Sequence, residues 1–303
     1  MRPRLVLAVH SLVLSAAAAN VVEALREAGV RAIVLKGPIH AHWLYADEGR
    51  WFNDVDLLVD EAGLAIAETT LAGLGFGFVH DDAQGRVWRR RRDGVAVDVH
   101  WTLPGVGVPN ARAFALLAAR TETFELEAGA VEGLDEAGRT LHVALHAANH
   151  GTEGGRFLHD LQRAVERIPH SRWQEAAGLA RSLEADGALA VGLRLVPEGD
   201  GLARDLGLPS RGPAEVELWA RRPMPALGNV IRLSRTPGVP GKLALLKQEA
   251  FPGADFMRTR SDLARRGSVG LAAAYALRLV KLTWQVPRAH LALRRARRAS
   301  NRR

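Results

Sequence analysis

Two aspartates separated by one residue, Asp54 and Asp56, open an apolar run that ends at Val59. Because side chains alternate along a β-strand, a strand here would project both carboxylates from the same face. Two such anions repel each other and resist burial unless a cation lies between them. Oxygen ligands without an adjacent histidine or cysteine suit a hard ion such as Mg²⁺. Taken alone, the pair is explained more simply as the solvated end of a loop.

A third carboxylate, Asp98, lies inside the apolar residues 95–99. Aspartate is depleted in strands, so its presence there needs a reason. If its strand pairs beside the Asp54 strand, three carboxylates converge, which is enough to hold two metal ions for an in-line displacement at phosphorus. On the same strand His100 would point to the side of Asp98, whereas Trp101 would point to the other side, where core packing is expected.

A turn suited to anions is predicted just upstream. Lys36 and Gly37 follow residues 31–35, an arginine and four apolar residues, which are typical of a short buried strand. Pro38 suits the first position of a helix. Amide groups at a helix N-terminus attract anions, Gly37 lets a phosphate approach the backbone, and Lys36 adds a positive charge. Strand, turn, helix and acidic strand together suit a nucleoside triphosphate (NTP) whose phosphates are bridged by metal.

These residues resemble an uncharacterised bacterial nucleotidyltransferase family within the DNA polymerase β-like superfamily. The resemblance rests on Leu35-Lys36-Gly37, Arg50, the Asp54 to Val59 block and Asp98-Val99-His100-Trp101. It continues through an H-x-x-x-H element in residues 141–151 and an Asp-Leu element in residues 157–161. Residues 251–258 give a weaker match.

The resemblance implies an α+β fold, a polymerase-β-like mixed sheet with flanking helices, followed by an all-helical C-terminal domain. It implies Mg²⁺- or Mn²⁺-dependent transfer of a nucleoside monophosphate (NMP) from an NTP to an acceptor hydroxyl or phosphate. The residues expected to hold the metal ions and carry catalysis are Asp54, Asp56 and Asp98. Those expected to bind the nucleotide are Lys36, Gly37 and Arg50. Those expected near the cleft are His100, His146, His150 and Asp160.

An alternative function is a catalytically inactive binding module that holds a partner protein or a nucleic acid. Pro38 stands where the superfamily usually has Ser or Gly, so a hydroxyl that could touch phosphate is missing. Retention of three clustered acids favours the enzyme. The acceptor, a small molecule or a peptide, and the base of the NTP have no signature in the sequence.

The helical half carries three histidines, His142, His146 and His150, at intervals of four residues. They share one helix face, and two histidines at this spacing can bind zinc. The glutamate of a metalloprotease motif is missing, so a structural role or packing against the catalytic domain is favoured over metal ligation.

Periodicity and turn signals predict an α+β domain over residues 1–134, a helical domain over 135–287 and a basic tail over 288–303. Strands are expected at residues 31–35, 54–59, 87–91, 95–100, 121–126 and 130–134. Helices are expected at residues 4–28, 39–45, 61–74, 136–150, 157–168, 171–196, 213–221, 242–249 and 269–285. Loops are expected at residues 46–53, 196–213 and 235–241.

Composition narrows the function classes. The 303 residues include no cysteine, which excludes disulfides, thiolate catalysis and cysteine-based metal sites. The formal net charge of +8 comes mostly from residues 288–303, which hold seven arginines and no acid; the remainder is nearly neutral, so a nucleic-acid partner is disfavoured. The apolar N-terminus imitates a secretory signal, but its helical pattern continues to Gly29, which favours a helix of the mature protein. No stretch is long enough to span a membrane, and a cytoplasmic location is expected.

Two basic regions remain. The run Arg89 to Arg92 is interpreted as a solvated hairpin edge rather than a nucleic-acid patch, because alternate strand residues face opposite sides. Residues 271–286 carry an apolar face together with Arg278 and Lys281. Core packing of a last helix is the default for them, and a partner-docking or membrane-surface helix extended by the basic tail is the alternative. The tail itself is expected to be extended and solvated, and to be dispensable for folding and for metal binding. Its expected contribution is attraction to an anionic partner, whether a nucleic acid, a lipid surface or an acidic protein.

Overall fold

The structure is a computed structural model that describes residues 3–45, 50–81, 84–126, 128–221, 224 and 226–301. Half of the predicted loop over residues 46–53 lies outside the described residues, as do Arg302 and Arg303 of the predicted tail.

The described residues form one mixed sheet of seven strands. They are β1 (Ala32–Val34), β2 (Asp54–Val59), β3 (Phe76–Asp81), β4 (Gly85–Arg90), β5 (Ala96–His100), β6 (Thr121–Leu126) and β7 (Gly129–Leu134). Their spatial order is β3-β4-β5-β2-β1-β7-β6. The two acidic strands, β2 and β5, are parallel neighbours, and Asp56 lies opposite Asp98. The predicted pairing of these strands is therefore confirmed.

Alternation along the strands divides the core into two layers. On β1 and β2, Ile33 and Leu58 belong to one buried cluster, whereas Val34 and Leu57 belong to the other. Asp54 and Asp56 have the parity of Leu58, so the acids share the face that the helical half covers. The cluster on that face also contains Trp173 and continues across residue 134, the predicted domain boundary.

Helices cover both faces of the sheet. Those of the N-terminal half are α1 (Pro3–Glu27), α2 (Pro38–Tyr45), α3 (Leu64–Gly73) and α4 (Asn110–Ala118). The predicted N-terminal helix is confirmed as α1, whose Ala18, Val21 and Leu25 are fully buried against the sheet. The α+β class with a helical C-terminal region is likewise confirmed.

The C-terminal region consists of helices. They are α5 (Glu136–His150), α6 (Gly155–Arg167), α7 (His170–Ser182), α8 (Asp186–Leu193), α9 (Gly199–Asp205), α10 (Ala214–Arg221), α11 (Leu227–Arg235), α12 (Val239–Ala250), α13 (Ala254–Arg260) and α14 (Gly267–Asn301). None of the helices in the described part of the chain combines the length and apolar character that crossing a membrane requires.

The arginine run is not at a sheet edge, so that prediction was wrong. The unpredicted strand β3 pairs with β4 and covers it. Arg90 is buried, forms a salt bridge of 2.9 Å with Asp93, and places its guanidinium carbon 4.7 Å from the centre of the Phe76 ring. β3 was not predicted because the glycines on either side of Phe76 are more typical of a loop than of a strand.

The single helix predicted over residues 171–196 is two helices, α7 and α8. Glu184 adopts a left-handed conformation (φ 52°), and the amide of Ala185 donates to the carbonyl of Ala180, as at a helix C-terminus. The loop predicted over residues 196–213 contains the short helix α9, and α12 begins inside the loop predicted over residues 235–241. Helices α4, α11 and α13 were not predicted.

The C-terminal helix is much longer than predicted. Instead of ending at residue 285, α14 continues through Pro287 to Asn301. Ala289 and Leu293 are buried against Leu227 and Val230 of α11, and Arg297 forms a salt bridge with Glu215. The prediction of an extended, solvated tail was therefore wrong for residues 288–301, because small and apolar residues between the arginines provide one packed face.

Candidate active site

The acidic strands bring three ligand groups together. Donor atoms of Asp56, Asp98 and His100 all lie within 4.8 Å of one another. Nε2 of His100 is 3.2 Å from Oδ1 of Asp56 and 3.5 Å from Oδ2 of Asp98. Asp54 lies one strand repeat from Asp56 and lines the same cavity. The parallel register of β2 and β5 creates this arrangement, because it places residues of equal parity side by side.

Electrostatics within the site are strongly coupled. Burial and the nearby charge of Asp56 raise the pKa of Asp54. Burial acts in the same direction on Asp56, but Lys36 and His100 outweigh it and hold the pKa of Asp56 well below its usual range. Burial lowers the pKa of His100, whereas the carboxylates of Asp98 and Asp56 raise it more, so the net shift is upward. The ionised carboxylates are therefore stable in the cavity only when positive charge lies beside them.

The predicted anion-binding turn faces these acids. Gly37 has φ of 72°, a conformation that side chains other than glycine rarely adopt, and α2 begins directly after it. Nζ of Lys36 lies 2.7 Å from Oδ1 of Asp56 and 2.9 Å from Nε2 of His146. Lys36 thus provides a cation at the buried carboxylate, at the place where a bound metal ion would also be attracted.

Arg50 is held by the helical half. Its Nε and Nη2 atoms donate to the two oxygens of Asp160, at 3.0 and 2.5 Å, and the hydroxyl of Tyr45 donates to Oδ1 of Asp160 at 2.5 Å. Burial and the bond to Asp160 raise the pKa of Tyr45, which keeps it a donor. Asp160 was predicted near the cleft; it lies behind Arg50 and orients this side chain.

The histidines of α5 form a row of neighbouring rings. Ring centres of His142 and His146 are 5.7 Å apart, those of His146 and His150 are 4.5 Å apart, and the ring of Phe157 stacks 3.9 Å from His150. Burial, followed by the charge of Lys36, lowers the pKa of His142 to about 3 and that of His150 to about 4. The same causes keep His146 neutral, so its Nε2 can accept from Lys36.

Among the described residues, the donor atoms that come together are those of Asp56, Asp98 and His100, and none belongs to α5.

One cavity of about 190 Å³ connects these groups. Its wall includes the predicted residues Lys36, Gly37, Arg50, Asp54, Asp56, Asp98, His100, His146 and His150. An open depression formed by His150 and residues 153–157 adjoins it and shares His150, Arg156 and Phe157 with it. The cavity is smaller than the pockets of roughly 300–1,000 Å³ that hold whole drug-sized ligands, and the depression adds open space beside it.

Several residues that line the cavity were not predicted from the sequence. They are Phe52, Gln84, Leu103, Pro104, Asn149 and Arg156. Arg156 follows the glycine pair at the start of α6, and its guanidinium carbon lies 4.7 Å from the centre of the Phe157 ring. The adjacent glycines were the signal that could have indicated a binding loop here.

The residues fit a divalent cation. Carboxylate oxygens dominate the donor set, as Mg²⁺ and Mn²⁺ require. Gly85 on β4 leaves the necessary space, because a Cβ atom there would lie 2.9 Å from Nδ1 of His100 and 3.1 Å from Oδ1 of Asp98.

The chain is similar to a protein of known structure and to a protein family. The antigenic nucleotidyltransferase-like protein from Paracoccidioides brasiliensis, known from a crystal structure, is 16% identical, with a TM-score of 0.36 over 58% of this chain and 92% of its own. No curated protein matches the chain. The model of the uncharacterised nucleotidyltransferase family matches residues 4–198, a segment that contains all the strands described above and the whole cavity wall. The chain belongs to this uncharacterised nucleotidyltransferase family.

Proposed function

We propose that the protein is a Mg²⁺-dependent nucleotidyltransferase that transfers NMP from an NTP to an acceptor hydroxyl or phosphate and releases pyrophosphate. The observation that carries the proposal is the convergence of Asp54, Asp56 and Asp98 on one sheet face, opposite Lys36 and Arg50 in one cavity. An NTP substrate also favours the cytoplasm as the compartment, because NTPs are made there.

Asp54, Asp56 and Asp98 would hold the divalent ions, which would neutralise charge on the phosphates and orient the reacting oxygens. The acceptor oxygen forms a bond to the α-phosphorus, the bond from that phosphorus to the bridging oxygen breaks, and pyrophosphate leaves with the electron pair. The acceptor proton passes to the carboxylate cluster at Asp98.

The cations of this chain have separate tasks. Lys36 is released from Asp56 when the site is loaded and binds the phosphates, and the neutral His146 keeps it at the cavity. Arg50 binds the triphosphate with the edge of its guanidinium that Asp160 leaves available, and its orientation is fixed before the ligand arrives. Positioning and charge stabilisation are the main protein contributions to phosphoryl chemistry.

The test is transfer from labelled NTPs. The purified protein is incubated with each NTP, Mg²⁺ or Mn²⁺ and a cell extract, and labelled products are identified by mass spectrometry. We expect label from the wild type and at least a hundredfold less from Asp54→Asn/Asp56→Asn, whereas the exposed Asp205→Asn labels as the wild type does. Equal labelling by the wild type and the double variant would refute the enzymatic proposal.

A second candidate is the inactive binding module. Two cationic residues of the cavity are engaged internally, Lys36 with Asp56 and Arg50 with Asp160, and Pro38 supplies no hydroxyl. Calorimetry with NTP and Mg²⁺ separates the two functions. Absence of nucleotide binding by the folded wild type would favour the module.

A further inference from the structure

The last helix presents an exposed apolar stripe, formed by Leu277, Val280, Trp284 and Leu291 of α14. These side chains are all exposed, with 66% of Val280 and 63% of Trp284 accessible. At 100° per residue the four fall within an arc of about 60°. The opposite side of α14 is occupied, because Ala289 and Leu293 are buried against α11. The stripe is therefore a second face of the helix, not a part of the core.

Basic side chains border and extend the stripe. Lys281 and Arg288 lie along one flank, and Arg294, Arg295 and Arg298 continue it toward the C-terminus. In the part of the chain that the structure describes, no carboxylate lies within salt-bridge distance of Lys281, Arg294, Arg295 or Arg298. The sequence has no Asp or Glu after Asp262, whereas residues 263–303 contain eleven Lys and Arg.

We propose that this face of α14 binds the surface of an anionic lipid bilayer, with the helix lying in the plane of the interface. Apolar side chains on one arc enter the boundary between headgroups and acyl chains, and the arginines contact lipid phosphates. Trp284 is of the residue type that prefers this boundary. Its ring lies 3.2 Å from the guanidinium carbon of Arg288, so an apolar and a cationic group are presented together.

Charge and apolar character favour an anionic bilayer over a second copy of the chain or a nucleic acid as the partner of this face. A second copy of the chain would bring the arginines of two α14 helices together with no acid to compensate them, and Pro287 on the same face disfavours a regular helix pair. A nucleic acid would satisfy the arginines and leave the apolar stripe facing phosphates. An anionic bilayer satisfies both kinds of side chain.

The experiment is co-sedimentation of the full-length protein with vesicles of phosphatidylcholine alone or with 30% phosphatidylglycerol. We expect at least tenfold tighter binding to the anionic vesicles, weakened by salt. Val280→Ser/Trp284→Ser should lower that affinity at least tenfold, as should Arg294→Gln/Arg295→Gln/Arg298→Gln. The matched control is Leu12→Ser/Val13→Ser, which removes exposed apolar residues from α1 and should bind as the wild type does.

Circular dichroism and melting curves establish that each variant is folded. The proposal is overturned if the folded wild type does not sediment with anionic vesicles, or if the Val280/Trp284 variant binds as well as the wild type. It is also overturned if α14 mediates dimers in solution, or if a single-stranded RNA is bound more tightly than the anionic vesicles in the same buffer. None of these outcomes depends on nucleotidyl transfer, so they leave the proposed function untouched.

Discussion

Charge is managed in opposite ways in the cavity and along α14. Asp56 is 2% exposed and has Lys36 and His100 as partners at 2.7 and 3.2 Å. Arg294 and Arg298 are exposed on a helix face without acids. A buried charge must be compensated locally, because desolvation is costly, whereas water screens an exposed one. Substitutions in the cavity should therefore affect folding and chemistry together, and those on the exposed face of α14 should affect only binding at the surface.

Removal of the cavity cation tests this contrast most strongly. Lys36→Met leaves the carboxylate of Asp56 buried with His100 as its remaining partner, and breaking a buried pair costs about 3 kcal/mol. We expect a loss of that size in urea unfolding, together with loss of nucleotidyl transfer. The exposed Lys242→Met is the matched control and should change stability by less than about 0.5 kcal/mol.

The double variant Lys36→Met/Asp56→Asn sharpens the same test. It removes both charges, so part of the stability should return while activity stays absent. If Lys36→Met is as stable as the wild type, the charge of Asp56 is not buried as the structure shows, and the contrast with α14 fails.

Substitutions at two neighbouring residues of α14 should differ clearly in their effect on stability. Leu293 is buried against α11, so Leu293→Ala is expected to cost about 2–3 kcal/mol. Arg294, the next residue, is exposed, and Arg294→Ala should cost less than about 0.5 kcal/mol. Hydrogen exchange of α11 amides should accelerate in the first variant alone. Equal stability of both variants would restore the idea of a tail that is dispensable for folding.

Acid should destabilise the cavity through its neutral histidines. His142 has a folded pKa of about 3, against an ordinary value of about 6.5, so the unfolded chain takes up a proton between these values and the folded chain does not. The contribution of His142 to the free energy of unfolding is fully present above about pH 6.5 and declines as the pH falls toward 3. Between pH 7 and pH 5 the loss is about 2 kcal/mol.

The measurement is unfolding by urea at a series of pH values. His142→Gln cannot take up this proton, so near pH 5 its stability should depend on pH less steeply than that of the wild type, by about one proton. An unchanged slope would mean that this imidazole is hydrated in the folded protein.

The strands at the site could be predicted because three aspartates stand in short apolar runs of strand type. Asp54, Asp56 and Asp98 interrupt apolar runs with a period of two, so a common face follows once the strands pair. The position of Asp160 behind Arg50 could not be inferred from the sequence. The two residues are 110 positions apart, and their contact depends on how α6 packs across the sheet. Arg156 was missed because the glycine pair before it was not interpreted as a binding loop.

The C-terminal region was harder to predict because arginine is ambiguous. In α14 a run of arginines is compatible with a solvated tail or with a helix whose small residues pack on one side. Ala289 and Leu293 decide between the two only when α11 is present as a partner, and α11 was itself not predicted. Strand β3 was missed for a similar reason. Gly75 before it and Gly77 within it have low strand propensity, and its place is set by pairing with β4.

The smallest expected effect separates two glycines. In Gly73→Ala the added methyl group meets no atom within 4 Å, so this substitution in α3 should stabilise the protein by about 0.5 kcal/mol. Gly85→Ala places a methyl group 2.9 Å from the carbonyl of Val99 and from Nδ1 of His100, and such overpacking costs about 1 kcal/mol. The same shift should weaken Mn²⁺ binding, measured by electron paramagnetic resonance, at least tenfold. If Gly85→Ala binds Mn²⁺ as Gly73→Ala does, the cation is held elsewhere than between β2 and β5.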